Sequence, residues 1–155
     1  MTRKAIRDRI HEILNTVVGV KTIPPRIPQA LQLFELPVAF ARDTGGQVAD
    51  VLDGGQGYRI RGAWQISLFV AEVNVGLRAE HEDTAYDLAD KVYRAFIGRP
   101  NLMSPVTHTG LTGVVQARVI SDSGLRAPIA YPDAQGVREF YGYQFQLEVT
   151  YDEHC

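Results

Sequence analysis

Cysteine is all but missing from this 155-residue chain: Cys155 stands alone. One thiol makes neither an intramolecular disulfide nor a multi-cysteine zinc site, and the expected setting is a reducing, cytosolic one. Long apolar runs are missing too, none approaching the roughly 20 residues that would span a bilayer. Met1 to Asp8 is charged rather than apolar, so no secretory leader and no membrane partner are expected. Charge of one sign is equally scarce. With 16 basic and 18 acidic residues the net charge is −2, which argues against a dedicated, sequence-specific nucleic-acid binder and leaves room only for local patches. No repeat and no low-complexity tract occurs.

The residues of common catalytic and metal sites are present but not arranged. His11, His81, His108 and His154 include no pair at the i, i+4 spacing that turns two imidazoles toward one ion. Glu80, His81, Glu82 and Asp83 are neighbours in sequence, but adjacent residues on a helix diverge, and an acid-rich helix start has a sufficient reason in the macrodipole. Asp152, Glu153, His154 and Cys155 cluster only at a terminus. Ser67, Ser104, Ser121 and Ser123 lie outside any Gly-x-Ser-x-Gly elbow. No catalytic, cofactor-binding or metal-ligating residue is therefore nominated, and the chain is read as a non-enzyme.

What is there is alternation. Tyr58, Ile60, Gly62, Trp64, Ile66, Leu68 and Val70 alternate with Arg59, Arg61, Ala63, Gln65, Ser67, Phe69 and Ala71. The period of two predicts a long strand with the lone Trp on its core face. From Glu139 to Tyr151 the odd positions Tyr141, Tyr143, Phe145, Leu147, Val149 and Tyr151 repeat the pattern. Shorter strands are expected over 37–42 and 114–121, with an irregular connection over 122–132. Arg59, Arg61, Gln65, Ser67, Gln144, Gln146 and Glu148 would line an uncovered face.

Two segments carry the helical period instead. Ile6, Ile10, Ile13, Leu14 and Val17 predict a helix over 3–17, stopped by Gly19, with Arg3, Lys4, Arg7 and Arg9 outward. Cations at a helix start oppose the macrodipole, which favours an external acidic partner. Ala85, Leu88, Ala89, Val92, Tyr93 and Phe96 predict a second helix over 82–97, ended by Gly98 and Pro100. Between the first strand pair, glycines 45, 46, 54, 55 and 57 predict a long flexible loop over 43–57, ordered by a partner. It is not a nucleotide cradle, because a strand rather than a helix follows it. Near 23–28, three prolines make an extended surface connector.

The order of elements predicts a single domain, 1–155, of the α+β class: an antiparallel or mixed sheet with long hairpin ribbons and two helices on one face. Ribbons that outrun a core of this size point to association. The interface residues nominated are Val48, Val51, Leu52, Tyr58, Arg59, Arg61, Tyr141 and Tyr143.

The helix Ile6 to Leu14, the run Leu36-Pro37-Val38-Ala39-Phe40, the ribbon Gly62 to Val70, the helix Ala85 to Phe96 and the closing Val149-Thr150-Tyr151 together resemble phage tail proteins of the tail-terminator and minor-tail (tail completion) class. The resemblance is one of layout over most of the chain. It implies a virion protein assembled in the host cytoplasm, a homo-oligomeric ring, hexameric in that class, that caps the tail tube protein and meets a head-tail connector or neck protein. DNA would pass through the ring lumen, and no cofactor is implied. A neck or head-completion protein of the same particle is the alternative. Two further readings stay open: a small α+β ligand-binding domain or hydrolase with a pocket beside residues 43–57, and a nucleic-acid accessory protein using Arg3, Lys4, Arg7 and Arg9.

Overall fold

A computed structural model describes residues 2–73, 78–133 and 136–154. Its elements in chain order are α1 (Thr2–Leu14), β1 (Val38–Val51), β2 (Gly57–Glu72), α2 (Arg78–Ile97), β3 (Val114–Asp122), β4 (Arg126–Asp133) and β5 (Gly136–His154). The strands form one antiparallel five-stranded sheet in the order β1-β2-β5-β3, with β4 continuing along the same edge of β5 beyond β3. Two helices pack against it, and the fold is α+β as its alternation predicts. Residues 74–77, before the second helix, and the terminal Cys155 lie outside the described residues.

The centre is the β2–β5 pair, in register from Gly57 opposite His154 to Glu72 opposite Phe140. Trp64, Ile66, Leu68 and Val70 from β2 and Tyr143, Phe145, Leu147, Val149 and Tyr151 from β5 point to the helices. Ile6, Ile10, Ile13 and Leu14 of α1 and Ala85, Leu88, Ala89, Val92 and Phe96 of α2 meet them. Full burial of each branched or aromatic side chain stabilises the fold by about 1.5–3 kcal/mol, so this layer carries most of the driving force. Helix α1 lies over β1, and α2 over β5 and β3. It ends at Leu14 rather than at 17. The Thr16 hydroxyl donates to the Ile13 carbonyl, a local bond that competes with the helical one.

A second core occupies the other face, which the alternation leaves open. Leu31, Val38, Phe40, Phe69, Ile129, Tyr131 and Phe140 form it. Phe69 sits among three rings, with centroids 5.9 Å from Phe40, 5.3 Å from Tyr131 and 5.6 Å from Phe140. The connector after the prolines closes this core. The Tyr131 hydroxyl donates to the Pro28 carbonyl, and the Leu31 amide donates to Pro132. Ser67, expected on an uncovered face, is buried. Most of the connection expected to be irregular over 122–132 forms strand β4, Arg126–Asp133, whose edge position tolerates Pro128 and Pro132.

The largest correction concerns residues 43–57. They form no long flexible loop: β1 runs to Val51 and pairs with β2 as far as Tyr58, leaving only Leu52 to Gln56 as the turn. The glycines serve defined geometry. Gly45 (φ 117°) lies at the irregularity between Asp43 and Gly45, while Gly54 (φ 73°) and Gly55 (φ 69°) shape the turn. These left-handed conformations suit a residue without a Cβ.

His11 ties α1 to β1. Its Nε2 accepts the Ala41 amide at 3.0 Å inside the fold. Burial, reinforced by the Arg7 charge and opposed by Asp8, lowers the imidazole's proton affinity below its ordinary value of 6.5. Above about pH 6.5 both folded and unfolded states hold His11 neutral. As pH falls below that, the unfolded chain takes up a proton that the folded chain refuses, so stability declines until the folded group titrates. The thermal midpoint is therefore expected to drop below pH 6.5, with an NMR titration of His11 centred lower than that. An imidazole titrating at or above 6.5 would refute the assignment.

Candidate assembly surface

The β1–β2 hairpin beyond Arg42 is an arm. Every residue of β1 from Arg42 to Val51 is exposed, although the backbone pairing to β2 is continuous apart from two irregularities. Short-range propensity does not build this arm, since Gly45, Gly46 and Asp50 are poor strand formers. It forms because β2 is already held by β5 and offers β1 a row of amide and carbonyl groups. Val48, Val51 and Tyr58 are exposed by 61, 57 and 48%. Past Ala41 the outer edge of β1 has no strand neighbour among the described residues. An unpaired strand edge bearing apolar side chains is a template for another chain.

The other nominated residues divide. Arg59 is held on the arm by a bidentate pair to Asp152, at 2.8 and 3.1 Å, which pulls that carboxyl below its ordinary range. Arg61 approaches Glu148 at 3.9 Å and remains exposed. Leu52 is half-buried at the turn. Tyr141 and Tyr143 are not surface residues: both are buried. Tyr143 stacks on Phe145 with centroids 5.7 Å apart and Tyr86 meets its edge at 6.3 Å. Their alternation signalled burial, and α2 rather than a second subunit supplies the cover. Tyr93, also on α2, bonds to Asp122 at the end of β3, and burial with that bond raises its hydroxyl to about 12.

A second surface lies beside the start of α1. Arg3, Lys4 and Arg7 converge with Arg26, from the Pro-rich connector, and Arg42, from β1, around a groove of about 520 Å³ that reaches Ile27 and Trp64. Asp43 is its one acidic lining residue and pairs with Arg3 at 3.1 Å. Arg7 pairs with Asp8 at 3.0 Å, whereas Lys4, Arg26 and Arg42 form no ion pair among the described residues. Arg9 does not join them. It donates to the carbonyls of Leu102 and Thr109 and pairs with Glu12, holding the 101–113 loop on α1. The sequence shows the cations of α1 but gives no sign that Arg26 and Arg42, 23 to 39 positions from Arg3, meet them.

No family model matches this chain, and no curated protein matches its sequence. Among the described residues no three of the His, Cys, Asp and Glu side chains converge on a metal-sized site. His81 lies instead against Tyr141, with centroids 6.2 Å apart. No described helix is long and apolar enough to cross a membrane.

Proposed function

We propose that this chain is a structural virion subunit, a tail terminator-like protein that forms a ring capping a phage tail tube and joining it to the head-proximal connector. The observation that carries the reading is the arm. Its β1 half, from Arg42 to Val51, lies outside both cores, yet the arm keeps a paired backbone, a bare edge and exposed Val48, Val51 and Tyr58. A protein that functions alone gains little from such an edge and risks aggregation through it, whereas a ring subunit uses it to bind its neighbour. The resemblance of the sequence to tail-terminator proteins supplies the rest: copies of the chain as first partner, then a tail tube protein and a connector or neck protein. A neck protein of the same particle is the alternative, and it would bind the connector but not the tube end.

The double variant Val48→Lys/Val51→Lys tests the reading. Both positions are exposed, so stability should change by less than about 0.5 kcal/mol each. The wild type should assemble toward rings in sedimentation velocity and electron microscopy, and the variant should stay monomeric with an unchanged thermal midpoint. A wild type that remains monomeric, alone and with tail-tube subunits, would sink the proposal.

A further inference from the structure

We infer that the basic groove beside α1 receives the acidic outer face of α2 from a second copy of this chain. The inference rests on the ring-subunit reading and names a contact within it. On α2, Glu80, Asp83, Asp87 and Asp90 are all exposed. At spacings of three and four they form one stripe along the helix. Only Asp87 has an ion pair among the described residues, to Lys91 at 2.9 Å. Tyr86 flanks the stripe, 46% exposed.

The groove supplies the complement. Arg3, Lys4, Arg7, Arg26 and Arg42 surround it, and exposed Ile27 gives Tyr86 an apolar wall. A net charge of −2 thus conceals a basic groove beside α1 and an acidic stripe on α2. Their placement decides between partners. Helix α1 lies over β1, at one edge of the sheet, and α2 lies over β5 and β3, toward the other. The two helices pack side by side on one face of the sheet, and the stripe lies on the side of α2 turned away from its buried residues. It therefore meets the groove only between copies. Two unlike patches in contact make a heterologous interface, which closes a ring or extends a chain. Nucleic acid fits less well. Trp64, the groove's aromatic residue, is only 3% exposed and offers no face on which a base can stack.

Two charge reversals test the contact. Arg26→Glu/Arg42→Glu alters the groove, and Asp83→Lys/Asp90→Lys alters the stripe, all at exposed positions. Each variant alone should lose assembly by at least about tenfold in Kd, and an equimolar mixture should recover it as mixed oligomers in sedimentation velocity and native mass spectrometry. Should a reversal disturb folding, the Gln and Asn versions replace it. Wild-type rings that survive both reversals would overturn this contact and leave the ring reading standing. Dimers or open chains abolished by either reversal would keep the contact and overturn the ring, while monomers under every condition would overturn both. Duplex DNA bound by the wild type and lost only on groove reversal, with assembly untouched by the α2 change, would also overturn it.

Discussion

Gly142→Val should abolish cooperative folding. Gly142 sits in β5 opposite Phe69, at the irregularity between Phe69 and Ala71 in β2. A Cβ built on it collides with the Leu68 carbonyl oxygen and comes within 3.3 Å of the Phe69 Cα. Both obstacles are backbone, so no rotamer change relieves them. Separating the strands would break the central pair on which both cores depend. The expected loss exceeds about 4 kcal/mol, the range reserved for a few severe mechanisms, in a protein class whose whole margin is about 5–15 kcal/mol. Gly98→Ala is the control, since nothing lies within 4 Å of its added Cβ. Circular dichroism melting should show no cooperative transition for the first and a wild-type one for the second. A Gly142→Val protein that melts like the wild type would mean that β2 and β5 are not in this register.

Phe69→Ala should be nearly as damaging, and it separates the two-core architecture from the one-core reading. Under strict alternation Phe69 lies on a water-facing surface, where truncation changes stability by about 0.5 kcal/mol or less. In the structure it is 2% exposed and touches the rings of Phe40, Tyr131 and Phe140. Loss of a buried Phe side chain with its cavity costs about 3–5 kcal/mol. At this chain length that lowers the thermal midpoint by roughly 10 °C. Denaturant unfolding of Phe69→Ala beside Leu68→Ala, its neighbour in the helix-facing core, should give comparable losses. A near-neutral Phe69→Ala would dissolve the second core.

The legible parts of the fold were those in which one side of an element repels water and the other does not. The stripe Ala85, Leu88, Ala89, Val92 and Phe96 fixed α2 to within a few residues, and the alternations from Tyr58 and from Tyr141 fixed the two long strands. Where both sides are covered, alternation fails. Phe69 and Phe140 look like interruptions of a pattern until β4 and the connector through Leu31 are seen to lie over them. The stretch of β1 beyond Arg42 failed for the opposite reason: both its faces are wet and its composition reads as a loop.

The candidate surface divided in the same way. Val48 and Val51 were nominated as apolar residues in a glycine-rich setting and Tyr58 as an aromatic residue at a ribbon end, and all three are exposed. Tyr141 and Tyr143 were nominated as aromatic residues at a ribbon end, and α2 covers them. The groove had no signature at all, because Arg3, Arg26 and Arg42 are neighbours only after α1 has packed on β1.

By itself the sequence determined the elements whose hydrophobic period is local: both helices, both long strands, and with them the α+β class. Tertiary structure alone decided the strand over 43–51, the second core, the cover of Tyr141 and Tyr143 by α2 and the meeting of the groove's cations. The physical reason is range. A side chain's preference for water or for its neighbours in an element acts over a few residues and leaves a period, whereas strand pairing and charge convergence join residues far apart in the chain and leave none.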